Sequence, residues 1–178
     1  SLGDSKSMLL KGIEILENIN VASAVIAYIN LMSIYSQEED LEEINNIFKT
    51  SLDLIRRNNL EDTTLSASLY SALAFSLYPN NVIEVKNNLE FALAIRHNNS
   101  ITLDIDFLLD QLLYYECCIY DNTYDESLIS NLLKTYKSLY ISDVVYLSPK
   151  PFMAHLSNVL YTVDKKWIEK NKGKKKNN

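Results

Sequence analysis

Ile55-Arg56-Arg57-Asn58-Asn59 and Ile95-Arg96-His97-Asn98-Asn99 are nearly the same phrase written twice, 40 residues apart. Ile15 and Asn18 stand one period earlier, and the apolar positions that follow keep step: Val25, Leu65 and Ile105, then Ile29, Leu69 and Leu109. Each phrase ends a stretch whose apolar residues recur at three- and four-residue spacing, the mark of an amphipathic helix. Cations suit the negative end of a helix dipole, and Asn tolerates the left-handed conformation that stops a helix. A helical hairpin of this length cannot bury its own apolar face, so copies must stack. The phrase therefore predicts an all-α chain, an α-α superhelix of helical hairpins with a repeat of about 40 residues.

Composition agrees. The chain has 178 residues, 47% hydrophobic and 22% charged, but only three Gly and three Pro. Most tight turns and bulges are made from those two residues, so an all-β or doubly wound fold is excluded. The length predicts one helical-repeat domain over residues 1–168, followed by a basic, disordered tail at 169–178.

Charge divides the chain unevenly. From Lys165 onward there are seven Lys and one Glu, a local charge of +6, whereas the whole chain carries −6. The preceding 164 residues therefore hold −12. An acidic body repels phosphate backbones, which argues against direct nucleic-acid binding. The only cysteines, Cys117 and Cys118, are neighbours and cannot easily bond to each other, so a reducing compartment is expected. No secretory leader precedes the first helix, and no run of 18 apolar residues suggests a membrane span. These features predict a cytoplasmic chain with no membrane partner. The first residue is Ser rather than Met, so a trimmed or partial chain is expected.

Periodicity assigns helices to 8–19 and 21–35. Ser36-Gln37-Glu38-Glu39 reads as a capping box before a third helix that runs to Arg57. Asp62 or Thr63 caps the next, which Pro79 stops; Asn80 or Asn81 starts another, ending at His97. Residues 101–106 alternate like a strand, but the repeat register predicts a helix there. Further helices are expected at 127–140 and, beyond the break at Pro149-Lys150-Pro151, from Phe152 to Trp167. Val144-Val145-Tyr146 leaves 141–147 open between an extended segment and a short helix. The connections after Tyr35 and Tyr78 are tight and those after Arg57 and His97 are longer, which groups the helices into pairs at 21–57, 63–97 and 102–140.

No catalytic or metal-binding signature emerges, and no cofactor is expected. Gly173-Lys174 lacks the glycines and hydroxyl of a phosphate loop, and His97 and His155 are single residues in distant helices. Cys117 shares a stripe with Leu109 and Leu113 and reads as a core residue rather than a nucleophile. Asp104 and Asp106 stand two apart, where helical side chains do not face each other. Asn98-Asn99-Ser100 matches a glycosylation sequon but lacks a secretory context.

The polar and aromatic residues say more, with twelve Tyr against one Trp. Stepping by 40 aligns Asn30, Tyr70 and Asp110 on the first helices of the three pairs, with Ser66, Asp106 and Tyr114 one turn away. On a concave face this row could clamp an extended peptide, with amide and carboxylate groups on its backbone and tyrosines on its side chains. The plainer alternative is a solvated helix face that touches nothing.

Helical hairpins of this length, rich in Ile, Asn, Tyr and Lys, resemble the tetratricopeptide-like sensor domains of peptide-pheromone regulators in Gram-positive bacteria, the Rgg and PlcR group. Leu112 to Leu156 is similar in layout to the end of such domains: the Tyr-rich helix of Leu113-Tyr114-Tyr115, a polar turn, a helix ending in Lys137-Ser138-Leu139-Tyr140 and a closing helix. The Trp, Gly and Pro landmarks of tetratricopeptides are absent, and so is the helix-turn-helix DNA-binding domain of those regulators. The resemblance implies a non-enzymatic, peptide-sensing and dimerising effector domain of a transcriptional regulator. A homodimer through Phe152–Trp167 is expected. The alternative is a protein–protein adaptor or antagonist built as a compact helical bundle, with no small ligand.

Overall fold

The computed structural model describes residues 2–102 and 104–123, together with positions 125, 127, 130–132, 134 and 165. Every element among the described residues is helical: α1 (Leu2–Ile19), α2 (Val21–Gln37), α3 (Leu41–Arg57), α4 (Thr64–Leu77), α5 (Val82–Asn98) and α6 (Ile105–Tyr120). The chain forms two compact units, Ser1–Thr102 and Leu103–Asn178. The expected domain end at 168, the basic tail, residues 141–147 and the closing helix at 152–167 lie outside the described residues, apart from helical Lys165.

In the first unit, α2 packs against α1, α3 and α4, and α4 packs against α3 and α5. The side chains at the centre explain this arrangement. Ala24, Ala27, Ala67, Ala74 and Ala92 are buried and small, so helix axes can approach closely. Leu31, Leu69, Leu73 and Leu89 fill the space between them, each worth roughly 1.5–3 kcal/mol when withdrawn from water. Ser36 Oγ on α2 donates to the Ser76 carbonyl on α4 at 3.3 Å, tying the two first helices of adjacent pairs together.

The helix ends follow the sequence logic with local corrections. The first helix begins at Leu2, a turn and a half before the expected Met8. The proposed capping box at 36–39 is not the cap of α3: α2 runs on through Gln37, and Asp40 accepts the Glu43 amide at 3.1 Å. Asn81 does the same for Glu84 at 3.3 Å, opening α5. Thr63 rather than Asp62 precedes α4, without a side-chain cap bond. At the other ends, the Leu60 amide reaches the Ile55 carbonyl and the Ile101 amide reaches the Arg96 carbonyl, the long bond of a Schellman motif. Asn59 and Ser100 supply the left-handed residues, at φ 55° and 59°.

These landmarks expose a difference in phase. The caps Asp40 and Asn81 are 41 residues apart, and so are Leu60 and Ile101. The buried positions agree: Ile44, Ile47, Ser51 and Ile55 of α3 recur in α5 as Val85, Asn88, Ala92 and Arg96. Ala24, Val25, Ala27, Leu31 and Met32 of α2 recur in α4 as Ser66, Ala67, Leu69, Leu73 and Ala74, 42 residues on. The 40-residue echo in the sequence is thus displaced by one or two positions from the phase of burial. Arg56 is exposed, whereas Arg96 is 2% exposed in the place that Ile55 holds on α3.

In the second unit, α6 begins at Ile105, so the end of the strand-like alternation is the cap Asp104 and the first turn of a helix. Asp104 accepts the Asp106 amide at 3.3 Å. Phe107, Leu108, Leu112, Leu113, Tyr115, Cys117 and Cys118 are buried, and their positions spread over most of the helix circumference. Asp125 accepts from both the amide and the hydroxyl of Ser127, which holds its carboxyl below the usual range. Residues 127, 130–132 and 134 are helical, as the reading of 127–140 predicts; the remaining positions of that stretch lie outside the described residues.

Candidate functional site

The six residues read as a ligand-facing row occupy three different environments. On the first unit Asn30 is exposed on α2, Ser66 is buried on α4, and Tyr70 is half-buried on α4. On the second unit, Asp106 is exposed, Asp110 is fully buried and Tyr114 is half-buried, all on α6. Between α2 and α4 the cause is the phase difference. A step of 40 on helices that repeat their burial at 42 rotates the compared side chains by about 200°, so Asn30 and Tyr70 do not share a face. The residue of α2 that matches Tyr70 in burial phase is Tyr28.

These two tyrosines are held differently. Tyr28 donates its phenol to Glu17 Oε1 at 2.6 Å, joining α2 to α1. Burial, and then the bond to Glu17, pushes that phenol well above the ordinary tyrosine range. Tyr70 instead sits between rings of α3 and α5. Phe48 meets it edge-on, with centroids 5.5 Å apart at 61°, and Phe91 stacks on it at 5.2 Å and 26°. Such pairs add about 0.5–1.5 kcal/mol beyond area burial. Phe48 is half-buried, and Phe91 is 58% exposed. The three rings therefore form an aromatic ledge with its inner part packed and its outer part in water.

Sequence reading found Tyr70 but missed both phenylalanines. Phe48 stands in a regular apolar stripe and looks like core. Phe91 stands between exposed Glu90 and buried Ala92, and a single exposed ring carries no signal in a sequence. A polar arrangement joins the opposite end of the first hairpin: Lys6 pairs with Glu38 and lies 4.3 Å from the centroid of the Tyr35 ring. The bond to Glu38 is the main reason its ammonium titrates above the normal lysine range.

Cys117 and Cys118 are both free and buried. His97 is exposed on α5, and His155 lies outside the described residues. Among the described residues, no group of three or more His, Cys, Asp or Glu is placed to hold a metal ion. No helix among them is long and apolar enough to cross a membrane.

Compared with protein-family models, with curated proteins and with solved structures, the chain matches none.

Proposed function

We propose that this chain is a non-enzymatic binding module that takes a short peptide or protein segment, and that it serves as the effector-sensing part of a bacterial transcriptional regulator. The single observation that carries the binding role is the Phe48–Tyr70–Phe91 ledge. Packing alone asks for no ring on the outer face of α5, where the matching residue of α3 in burial phase is Thr50. An exposed ring stacked on a half-buried one is preorganised: it gains contact area with little loss of side-chain entropy. Within a chain whose body is acidic, the ledge suits a segment that presents an aromatic ring or a cationic Arg or Lys side chain. Exposed Asn30 and Asp106 and half-buried Tyr114 remain candidate contacts on their own helices. Ser66 and Asp110 are enclosed and would act by shaping their surroundings.

The helix contacts support a stack of hairpins as the frame. The first helix of one pair packs on the first helix of the next, and the buried positions recur from pair to pair. A ligand that prefers one curvature of such a stack would shift the population of the whole array, and with it any attached domain. A panel of short peptides, graded in aromatic and basic content, tests the reading by titration. Phe91→Ala and Tyr70→Ala should weaken the best binder by about 1–2 kcal/mol each. Unchanged affinity in both variants would remove the ledge as the site.

The second reading is an adaptor or antagonist that meets a folded protein and no small ligand. The exposed apolar side chains on α1 favour it. Small-angle scattering separates the frames, because a stack is curved and elongated whereas a bundle is compact.

A further inference from the structure

Two turns before Phe91 on α5 stands Glu84, so the two residues share a face about 10 Å apart along the helix axis. Asn87 lies between them, one turn before the ring, and is exposed. Long helical side chains lean toward the N-terminus, which carries the Phe91 ring toward Asn87 and Glu84. Tyr70 stacks on one face of that ring, and the ring is mostly exposed, so its other face meets water. The face of an aromatic ring is its negative side. A carboxylate, a side-chain amide and an electron-rich ring thus follow one another along one side of α5.

Glu84 also has a structural duty. Its backbone amide donates to Asn81 Oδ1 at 3.3 Å, and Asn81 Nδ2 donates to Glu84 Oε2 at 2.7 Å. One accepted bond leaves most of the lone pairs of a carboxylate unused, and Glu84 is only half-buried. Glu43 is its twin on α3, with its amide donating to Asp40 at 3.1 Å. Five residues separate Glu43 from Phe48, which sets it about 140° round the helix from that ring. The two glutamates hold the same position at the start of their helices, but only Glu84 stands in line with a ring. Lys49, next to Phe48, lies about 100° round α3 from it.

We propose, resting on the ledge as the binding site, that it takes the guanidinium of an arginine in an extended peptide segment, laid on the free face of Phe91 with Glu84 as its counter-charge. A planar cation suits both partners, because it stacks on an aromatic face and offers paired donors to a carboxylate. An aromatic side chain would stack as well, but it would withdraw Glu84 from water and give no donor in return. A lysine ammonium holds its water more tightly and has no plane to stack. Asn87 offers a donor and an acceptor to the backbone of the segment beside that side chain. The charge of −12 on the first 164 residues draws a cationic segment in.

Titration of the full chain with short capped peptides of the form Gly-Ser-X-Ser-Gly tests this, read by nuclear magnetic resonance shifts along α5. With X as arginine, binding should be about fivefold tighter than with citrulline, its uncharged isostere, or with phenylalanine. Glu84→Gln removes the charge but keeps the cap, since glutamine serves at that position as glutamate does. It should weaken the arginine peptide about fivefold and leave the phenylalanine peptide unchanged. Glu43→Gln, the same change of net charge away from the rings, should do neither. Phenylalanine binding as tightly as arginine, or equal losses from Glu84→Gln and Glu43→Gln, would overturn the inference and leave the ledge a binding site. An arginine peptide that shifts no residue of α5, or one indifferent to Phe91→Leu, would remove the ledge and the inference with it.

Discussion

Ile55 and Ile95 are twins in the sequence, each the first residue of its phrase, but the fold treats them unequally. Ile55 is completely buried on α3, and the Leu60 amide closes the Schellman motif on its carbonyl. Ile95 is only half-buried, because Arg96 takes the inward position on α5. Ile55→Ala deletes three buried carbons and leaves a cavity, which costs about 3 kcal/mol, inside the roughly 2–5 kcal/mol seen for such truncations. Ile95→Ala removes side chain that is partly in water already, and alanine returns some helix propensity, so its net cost is about 1 kcal/mol or less. Urea unfolding followed by circular dichroism measures both. With a slope of roughly 2 kcal/mol per molar, the midpoint should drop by about 1.5 M for Ile55→Ala and by about 0.5 M or less for Ile95→Ala. Equal losses would show that the 40-residue echo, and not the 41-residue phase, governs burial, and the alignment of α3 with α5 would fall.

Three further outcomes follow from local chemistry. Ser100→Gly should stabilise the chain by about 1 kcal/mol in thermal melts, because Ser100 holds φ 59° where a Cβ is strained; an unchanged or lower melting temperature would contradict this. Asp40→Ala should cost about 1 kcal/mol in thermal melts by removing the α3 cap while Asp40→Asn should keep most of it, and Glu39→Gly should stabilise by relieving the left-handed backbone at φ 58°. The Tyr28 phenol is raised in the folded state, so its contribution to stability is intact below the ordinary tyrosine range and fades as pH climbs above it. Ultraviolet titration should find a late-ionising phenol, and Tyr28→Phe should remove that step.

Helix identity was legible because it rests on local signals. The apolar stripes, the scarcity of Gly and Pro, and the Asn-rich ends mark α2 to α5 closely, and the tight and long connections fall where their composition puts them. Phase was harder. The phrase at 55–59 returns at 95–99, yet α5 runs one residue further before its left-handed stop, so a textual match compares an outward arginine with an inward one. On the first helices the displacement is two residues, and it joined exposed Asn30 to half-buried Tyr70 in the candidate row. The ledge was invisible for another reason. Stacking of Phe91 on Tyr70 depends on how α4 and α5 cross, which no spacing within either helix encodes.

The four residues at 78–81, between α4 and α5, stand where only three, 38–40, separate α2 from α3. A joint of this kind works like the tooth count of a gear. Removing one residue there would turn the downstream helix by about 100° relative to its neighbour, carrying Arg96 toward water and a different side of α5 inward. Substitutions along the helices can therefore be absorbed one at a time, whereas insertions and deletions at the corners act on every side chain of the following coil together. Length at the corners, more than identity along the rods, is where this architecture should be least forgiving.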